Sequence, residues 1–352
     1  MQENNLRKLA KFSFWFGCVI SIILLLASCT NKTATAIETI GSETVVTNTA
    51  PENQYLIIGG RRTDYTARDI KETIVFIIIS ENEAADFSGI EQFQNTKSLF
   101  ISLLDTRHVD FSPLRSLPNL QFVKIGGRGL TKIPDLSDIP SLVGLELRFG
   151  RLTNLNGIEK IKSLENLDIY GNRERITDIS AMRYLKKLKH LNFLNGFYNI
   201  DFSVLGYLPE LAELSINAYG EFDLIGINQL KTLRRLELIS NISKDIKDVR
   251  NEYKNIEEIG KITGLKELYL DESITSVEFL AGNVNLEELH LIADEERDDY
   301  YSVRLPLDVK PLSNLVNLKH LAIRGFELEN AEVIESLPKL ERFYTELYSG
   351  LD

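Results

Sequence analysis

Three of the four histidines in this chain, His190, His290 and His320, are the first residues whose type suggests chemistry. Imidazole nitrogens near a carboxylate such as Glu288 can bind zinc or take part in acid–base catalysis. The sequence contains no Ser/His/Asp order, no glycine-rich phosphate loop and no zinc-protease helix motif. Solvated histidines are therefore the favoured interpretation. A metal-dependent enzyme acting through His290, Glu288 and His320 ranks last, and we predict no catalytic residue, no metal and no cofactor.

A second candidate for metal chemistry is the acidic run at 294–301, Asp-Glu-Glu-Arg-Asp-Asp-Tyr-Tyr. Clustered carboxylates suit calcium, which prefers oxygen ligands. The run lacks EF-hand spacing, however, and such runs are usually solvated. A plain loop is favoured over a loop that contacts a partner, and both are favoured over a calcium site.

The N-terminus has the pattern of an export signal. Arg7, Lys8 and Lys11 precede an apolar run at 12–26, as in a secretory signal peptide. The run is shorter than the roughly 20 residues that span a bilayer as a helix. It ends in Leu26-Ala27-Ser28-Cys29, which resembles a bacterial lipobox. The resemblance implies cleavage after Ser28 and lipidation of Cys29; an ordinary cleavage site beside an incidental cysteine is the alternative.

Charge and cysteine content narrow the function classes further. The formal charge is −11, and loss of residues 1–28, with Arg7, Lys8, Lys11 and Glu3, leaves 37 basic and 50 acidic residues, or −13. A nucleic-acid partner is excluded on this basis, because phosphate binding needs basic patches. The only cysteines are Cys18 and Cys29, so the mature body has no thiol for a disulfide, a Cys-ligated zinc or a nucleophile.

The polar residues must be positioned by a recurring sequence motif, Leu-x-x-Leu-x-Leu. Ten copies are recognisable, the last one worn, and they start 21 to 32 residues apart, at Leu120, Leu142, Leu164, Leu188, Leu211, Leu233, Leu265, Leu286, Leu318 and Leu340. The second and third apolar residues point the same way from a short strand, while the residues between them point into solvent. One such strand cannot bury its apolar row alone, so the copies must stack as a solenoid.

The second half of each repeat has apolar residues in steps of three, as in Leu152, Leu155, Ile158 and Ile161. This spacing favours tight turns or a 3₁₀ segment over an α-helix. We therefore predict an α/β solenoid. It is a leucine-rich repeat arc with a concave parallel β-sheet of about 10–12 strands and 3₁₀ or irregular convex returns.

The stretch from Leu152 to Asn172, LTNLNGIEKIKSLENLDIYGN, resembles the short repeats, about 22 residues long, of bacterial internalin-like leucine-rich repeat proteins. The resemblance covers roughly residues 70 to 348 and implies a curved binding scaffold without naming a ligand. The chain departs from the pattern at the asparagine expected eight residues after the first leucine. It is present as Asn172 and Asn241 and replaced in the other copies by Arg128, Gly150, Gly196, Tyr219, Ser273, Asp294 and Phe326.

Four segments follow from these patterns. Residues 1–28 are the lipoprotein signal peptide, and 29–53, rich in Thr, Ala and Asn, are the lipidated cysteine and a flexible tether. Residues 54–82, with the apolar run at 73–79, are the N-terminal cap. Residues 83–352 are the repeat domain, with insertions near 241–262, where a short surface helix is one option, and near 293–310.

The outward positions of the strands form the predicted binding face. Tyrosine and arginine among small polar residues suit a protein-binding surface, although a solvated sheet without a ligand has a similar composition. The candidate residues are Tyr170, His190, Arg235, Glu237, Glu267, Tyr269, His290, His320, Arg342 and Tyr344.

The sequence thus predicts a monomeric, lipid-anchored binding protein of a bacterial cell envelope that recognises a protein of unknown identity through the concave face. An adhesin-like role is one version, with a host surface or a polysaccharide as other ligands. A structural envelope lipoprotein without a dedicated ligand is the alternative. Thr30 is not the aspartate of inner-membrane retention, which favours the outer membrane or cell surface.

Overall fold

A computed structural model describes residues 36–40, 43–47, 55–58, 61–64, 74–79, 87, 89–103, 109–127, 130–149, 151–171, 176–198, 200–219, 221–239, 252–271, 274–292 and 305–345. The signal peptide, Ser28, Cys29, Asn172, Asn241 and the acidic run at 294–301 lie outside these residues.

The leucine motifs form the strands of one large sheet. The strands among the described residues are β1 (Ala36–Ile40), β2 (Glu43–Thr47), β3 (Tyr55–Ile58), β4 (Arg61–Asp64), β5 (Ile74–Ile79), β6 (Ser98–Leu103), β7 (Phe122–Gly127), β8 (Gly144–Phe149), β9 (Asn166–Tyr170), β10 (His190–Tyr198), β11 (Glu213–Tyr219), β12 (Glu221–Asp223), β13 (Arg235–Ile239), β14 (Glu252–Lys254), β15 (Glu267–Asp271), β16 (Glu288–Ile292), β17 (Leu305–Asp308), β18 (His320–Arg324), β19 (Phe326–Glu329) and β20 (Arg342–Thr345).

Fourteen of these strands pair in the order β1-β2-β5-β6-β7-β8-β9-β10-β11-β13-β15-β16-β18-β20. Every pair after β1–β2 is parallel, and the eleven strands from β6 onward belong to the repeats, which confirms the predicted leucine-rich repeat solenoid. Three smaller two-stranded sheets, β3–β4, β12–β14 and β17–β19, lie outside it.

The register of the sheet aligns the apolar positions of neighbouring repeats. Leu145 pairs with Leu167, and Leu147 pairs with Ile169. All four side chains are fully buried and belong to one core that runs from Val75 to Leu337. The repeats therefore share a continuous apolar interior, as stacking requires.

The returns between strands are mostly 3₁₀ helices, as the three-residue steps predict. They are Ile90–Gln92, Ser112–Ser116, Ile158–Lys160, Ser180–Tyr184, Phe202–Tyr207, Ile227–Gln229, Ile256–Lys261, Glu278–Gly282 and Lys310–Asn314. A single α-helical turn, Glu332–Glu335, serves the last return. The return at 130–142 contains turns only.

A ladder of side-chain turns at the start of the returns was missed from the sequence. An aspartate or asparagine accepts a hydrogen bond from the backbone N–H two residues later, at Asp110, Asp135, Asn154, Asp178, Asp201, Asp223 and Asp308. These bonds hold the pKa of Asp110 and of Asp178 below the usual range. The recurring Asp-apolar-Ser triplets, such as Asp201-Phe202-Ser203, were the available signal.

Part of the predicted flexible tether is paired instead. Strands β1 and β2, within residues 29–53, form an antiparallel hairpin, and β2 lies parallel to β5 at the end of the large sheet. The β-branched residues within β1 and β2 suit strand pairing. The segment was predicted to be a tether because it has no sustained apolar period, and its strand-forming residues were overlooked.

Each predicted insertion includes residues that form regular strands or 3₁₀ helices of the repeats. Residues 252–254 form β14, which pairs with β12, and the next 3₁₀ helix begins at Ile256. Residues 305–308 form β17, which pairs with β19. The regular repeat structure therefore resumes at Glu252, before the first predicted insertion ends at 262. It resumes again at Leu305, before the second predicted insertion ends at 310. A short surface helix was one option for the first insertion, and the described part of that insertion contains β14.

Candidate protein-binding face

The ten candidate residues lie on the face of the sheet opposite the core, in three rows. The first row runs across the strands as His190, Glu213, Arg235, Glu267, Glu288, His320 and Arg342. The second contains Glu237, Tyr269, His290, Ala322 and Tyr344. Tyr170 lies in the third row, beside Arg148. The alternation along each strand and the repeat register produce these rows.

Seven side chains on β13, β15, β16 and β18 form one connected group, which we call the central cluster. Its members are Arg235, Glu237, Glu267, Tyr269, Glu288, His290 and His320. The Arg235 guanidinium donates to Glu267 at 2.8 Å and to Glu237 at 3.3 Å. Its Cζ lies 4.5 Å from the centre of the Tyr269 ring. This contact is possible because β13 and β15 pair directly although they are distant in the sequence.

The C-terminal side of the central cluster is organised by Glu288. The Tyr269 hydroxyl donates a hydrogen bond to Glu288 Oε1 at 2.9 Å, and His290 Nε2 lies 2.8 Å from the same oxygen. The Tyr269 and His290 rings lie 4.5 Å apart, and His320 Nδ1 lies 3.8 Å from Glu288. Tyrosine and histidine are thus held in fixed orientations on an otherwise open face.

Two pKa shifts reflect this arrangement. Burial alone would raise the pKa of Glu288, but the hydrogen bonds from Tyr269 and His290 outweigh burial and lower it. Burial, reinforced by the bond to Glu288, raises the pKa of Tyr269 well above its usual range. Glu288 therefore stays ionised and Tyr269 stays protonated near neutral pH.

His190 belongs to a separate group near the middle of the sheet. Its ring lies between Asp168 on β9, at 3.5 Å, and Glu213 on β11, at 3.0 Å. The hydrogen bond with Asp168 is the main reason that the pKa of His190 is raised, against the opposing effect of burial. No contact joins His190 to the other candidate histidines within the described residues.

A third group of side chains lies on β7 to β9. Of its members, only Tyr170 was predicted from the sequence. Glu146 is 4% exposed and pairs with Lys124 at 2.8 Å and Arg148 at 2.7 Å. The Arg148 guanidinium lies 4.1 Å from the Tyr170 ring centre. Because Arg148 stacks on Tyr170 as Arg235 stacks on Tyr269, the face carries two arginine–tyrosine pairs.

Arg342 and Tyr344 lie on β20, next to β18, and Arg342 is the register partner of His320 in the central cluster. All four side chains of this strand are exposed, and Tyr344 is 50% exposed. The small Ala322 separates Tyr344 from His290 in the second row. The ten candidate residues therefore form several groups rather than one site.

Two further findings concern the described residues. Among them, no group of three or more His, Cys, Asp or Glu side chains is arranged to hold a metal ion. In the same part of the chain, no helix has the length and apolar character needed to cross a membrane.

Neither protein-family models nor curated proteins match this chain. Similar solved structures include an internalin from Listeria monocytogenes, with 21% identity over 77% of this chain and 82% of that one, at a TM-score of 0.48. The functional domain of InlJ from Listeria monocytogenes has 16% identity over 83% of this chain and 68% of that one, at 0.46. The ectodomain of a plant membrane receptor kinase from Arabidopsis thaliana has 16% identity over 78% and 44%, at 0.40.

Proposed function

We propose that this protein recognises a protein partner through the concave face of its leucine-rich repeat sheet, while a lipid on Cys29 holds it at a bacterial cell envelope. The observation that carries the binding role is the central cluster. It presents an arginine, a tyrosine and a histidine side by side on an open face.

The central cluster has the properties of a preorganised binding surface. Arg235 and Tyr269 are residue types enriched in interface hot spots. Both are only partly buried, and both are held by hydrogen bonds to carboxylates. A partner that binds them loses little additional side-chain freedom, which favours affinity.

The charge of the central cluster defines the partner's complementary surface. Glu237, Glu267 and Glu288 outnumber Arg235, so with neutral histidines the cluster has a net charge of −2. Electrostatic complementarity then favours a partner surface with basic side chains around an apolar or aromatic centre.

A pull-down from envelope extracts tests the proposed face. The variant Arg235→Ala/Tyr269→Ala/Tyr344→Ala removes the exposed ring and guanidinium groups. The matched control, Arg183→Ala/Tyr184→Ala/Tyr207→Ala, removes the same residue types from the returns, where Tyr184 and Tyr207 are 53% and 55% exposed. We expect one partner to bind the unmodified chain and the control and to bind the face variant at least about tenfold more weakly. Equal recovery with all three chains would contradict the proposal.

The lipid anchor is supported by Leu26-Ala27-Ser28-Cys29 and by the charged and apolar residues before it. Metabolic labelling with a clickable palmitate tests it, with Cys29→Ala as the variant and Cys18→Ala as the matched control. Label must disappear only from the Cys29 variant. Protease digestion of intact cells then tests surface display, because a body that is protected until the envelope is broken rules out an adhesin.

A further inference from the structure

A second polar surface lies on the edge of the solenoid, outside the binding face. A groove of about 570 Å³ runs past the N-terminal ends of β13, β15, β16, β18 and β20. Five repeats therefore contribute to one trench. It is roughly 19 Å long, because neighbouring strands lie about 4.8 Å apart. The charged side chains that line it are Lys231, Arg234, Lys266, Glu287, Lys319 and Lys339.

Positive charge in this groove is only partly neutralised. Glu287 lies between two lysines, 2.5 Å from Lys266 and 2.7 Å from Lys319. Hydrogen bonds from the two ammonium groups lower the pKa of Glu287 to about 2, so its charge is present at all ordinary pH values. One carboxylate thus holds two lysines in place and leaves a net positive charge on the three.

The other three cations have no anionic partner among the described residues. Lys231 donates to the backbone carbonyl of Asn228, and Lys339 donates to the side-chain carbonyl of Asn317, both neutral acceptors. Arg234 is exposed, and its side chain makes no hydrogen bond or ion pair with the described part of the chain. The groove therefore carries five cations and one anion in a protein with an excess of acidic residues.

The positions along this edge differ in charge from repeat to repeat. The residues directly before the strands nearer the N-terminus are Lys97, Gln121, Val143, Glu165, Lys189 and Ala212. Of the two lysines there, Lys189 is paired with Glu165 at 2.8 Å. The repeat architecture alone therefore does not place a cation before every strand.

We propose that the groove binds a linear anionic polysaccharide, with acidic groups at the cations and sugar hydroxyls at the polar side chains between them. Asn285, Asn317 and Thr232 supply amide and hydroxyl groups within the groove. The described lining contains no aromatic ring on which a nucleic-acid base would stack. Its one apolar side chain, Leu233, is fully buried, which leaves no pocket for a peptide anchor.

Gly264 allows a test that changes no charge. It lies in the groove, and an added Cβ would meet only the carbonyl oxygens of Leu233 and Lys231, at 3.6 Å, an ordinary contact. Gly264→Gln therefore places a side chain in the trench without backbone strain. A ligand in the groove is displaced by this change, whereas a flat anionic surface held by charge alone is not.

The experiment measures binding of oligogalacturonides to the purified full chain by calorimetry, with methyl-esterified oligogalacturonides as the uncharged counterpart. The variant Lys231→Ala/Arg234→Ala/Lys339→Ala removes the three cations that lack an anionic partner. The matched control, Lys132→Ala/Lys160→Ala/Lys310→Ala, removes three exposed lysines of the returns, away from this edge. We expect affinity to fall at least about tenfold in the first variant and in Gly264→Gln, to weaken with salt, and to be unchanged in the control.

Several outcomes overturn the proposal. They are absence of binding, equal binding of the esterified sugar, and equal losses in the groove and control variants. Val284 and Val316 are exposed in the turns beside the groove, so vesicles with anionic lipids form a further arm. If these vesicles bind better than the sugar and tolerate Gly264→Gln, the edge faces a membrane instead. The Arg235/Tyr269/Tyr344 variant must retain sugar binding, which separates this inference from the proposed protein-binding face.

Discussion

At the scale of single residues, the carboxylates of the sheet face determine how the basic and aromatic side chains are presented. Glu288 orients Tyr269 and His290, Glu146 orients Lys124 and Arg148, and Asp168 with Glu213 orients His190. In each group an acid on one strand fixes a side chain on its own or a neighbouring strand. The exposed groups are consequently rigid before any partner arrives.

His190 gives this arrangement a measurable dependence on pH. Its folded pKa is raised above the ordinary value of 6.5, mainly by Asp168. The stabilisation it contributes is therefore fully present below pH 6.5 and is lost as pH rises through the folded pKa. We expect His190→Asn to lower the free energy of unfolding in acid and to approach the unmodified chain at alkaline pH, as measured by urea titration.

Asp168→Asn, which removes the main cause of the shift, should produce the same pattern. A stability difference that is identical at acid and alkaline pH would show that the histidine acts only through packing.

At the scale of elements, the returns depend on a few backbone positions that only glycine occupies easily. Gly226 precedes the 3₁₀ helix Ile227–Gln229 with φ +91°, and an added Cβ would lie 3.1 Å from the Cα of Ser203 in the previous repeat. Both the left-handed conformation and this close approach disfavour a side chain.

We expect Gly226→Ala to lower the free energy of unfolding by roughly 1–2 kcal/mol. Gly264→Ala is the matched control, because its Cβ would meet nothing closer than 3.6 Å. Thermal or urea unfolding of both variants measures the difference. Equal stabilities would mean that the chain around Gly226 relaxes without cost.

The strands and 3₁₀ returns could be predicted from the sequence because each follows a local apolar period. The ladder of aspartate turns and the β1–β2 hairpin carry weaker signals, and they were missed. Single polar residues such as Asp201 define these elements through a bond to the backbone, and apolar periodicity does not report such bonds.

At the scale of the whole molecule, stability is a sum of interactions between neighbouring repeats. β10 lies between β9 and β11, and the apolar side chains Leu191 and Phe193 on it are fully buried. In β20, which pairs only with β18 among the described strands, Phe343 is 38% exposed. The repeat at β20 therefore buries less apolar surface than the central ones.

Hydrogen exchange should follow this gradient. We expect backbone amides of β20 to exchange faster than those of β9 to β11, because local opening requires less free energy where fewer apolar contacts are lost. Mass-spectrometric exchange of the intact chain measures it. Uniform protection along the sheet would show that the solenoid opens only as one unit.

The sequence by itself determined the solenoid, the alternation of its strands and the rows in which the face residues lie, because a two-residue period and a repeat period are local properties. Only the tertiary structure decided which side chains meet. Arg235 reaches Tyr269 across a 34-residue separation, and Glu287 sits between Lys266 and Lys319. These contacts depend on stacking distance and side-chain reach between repeats, including those that flank an insertion, and no local period encodes either.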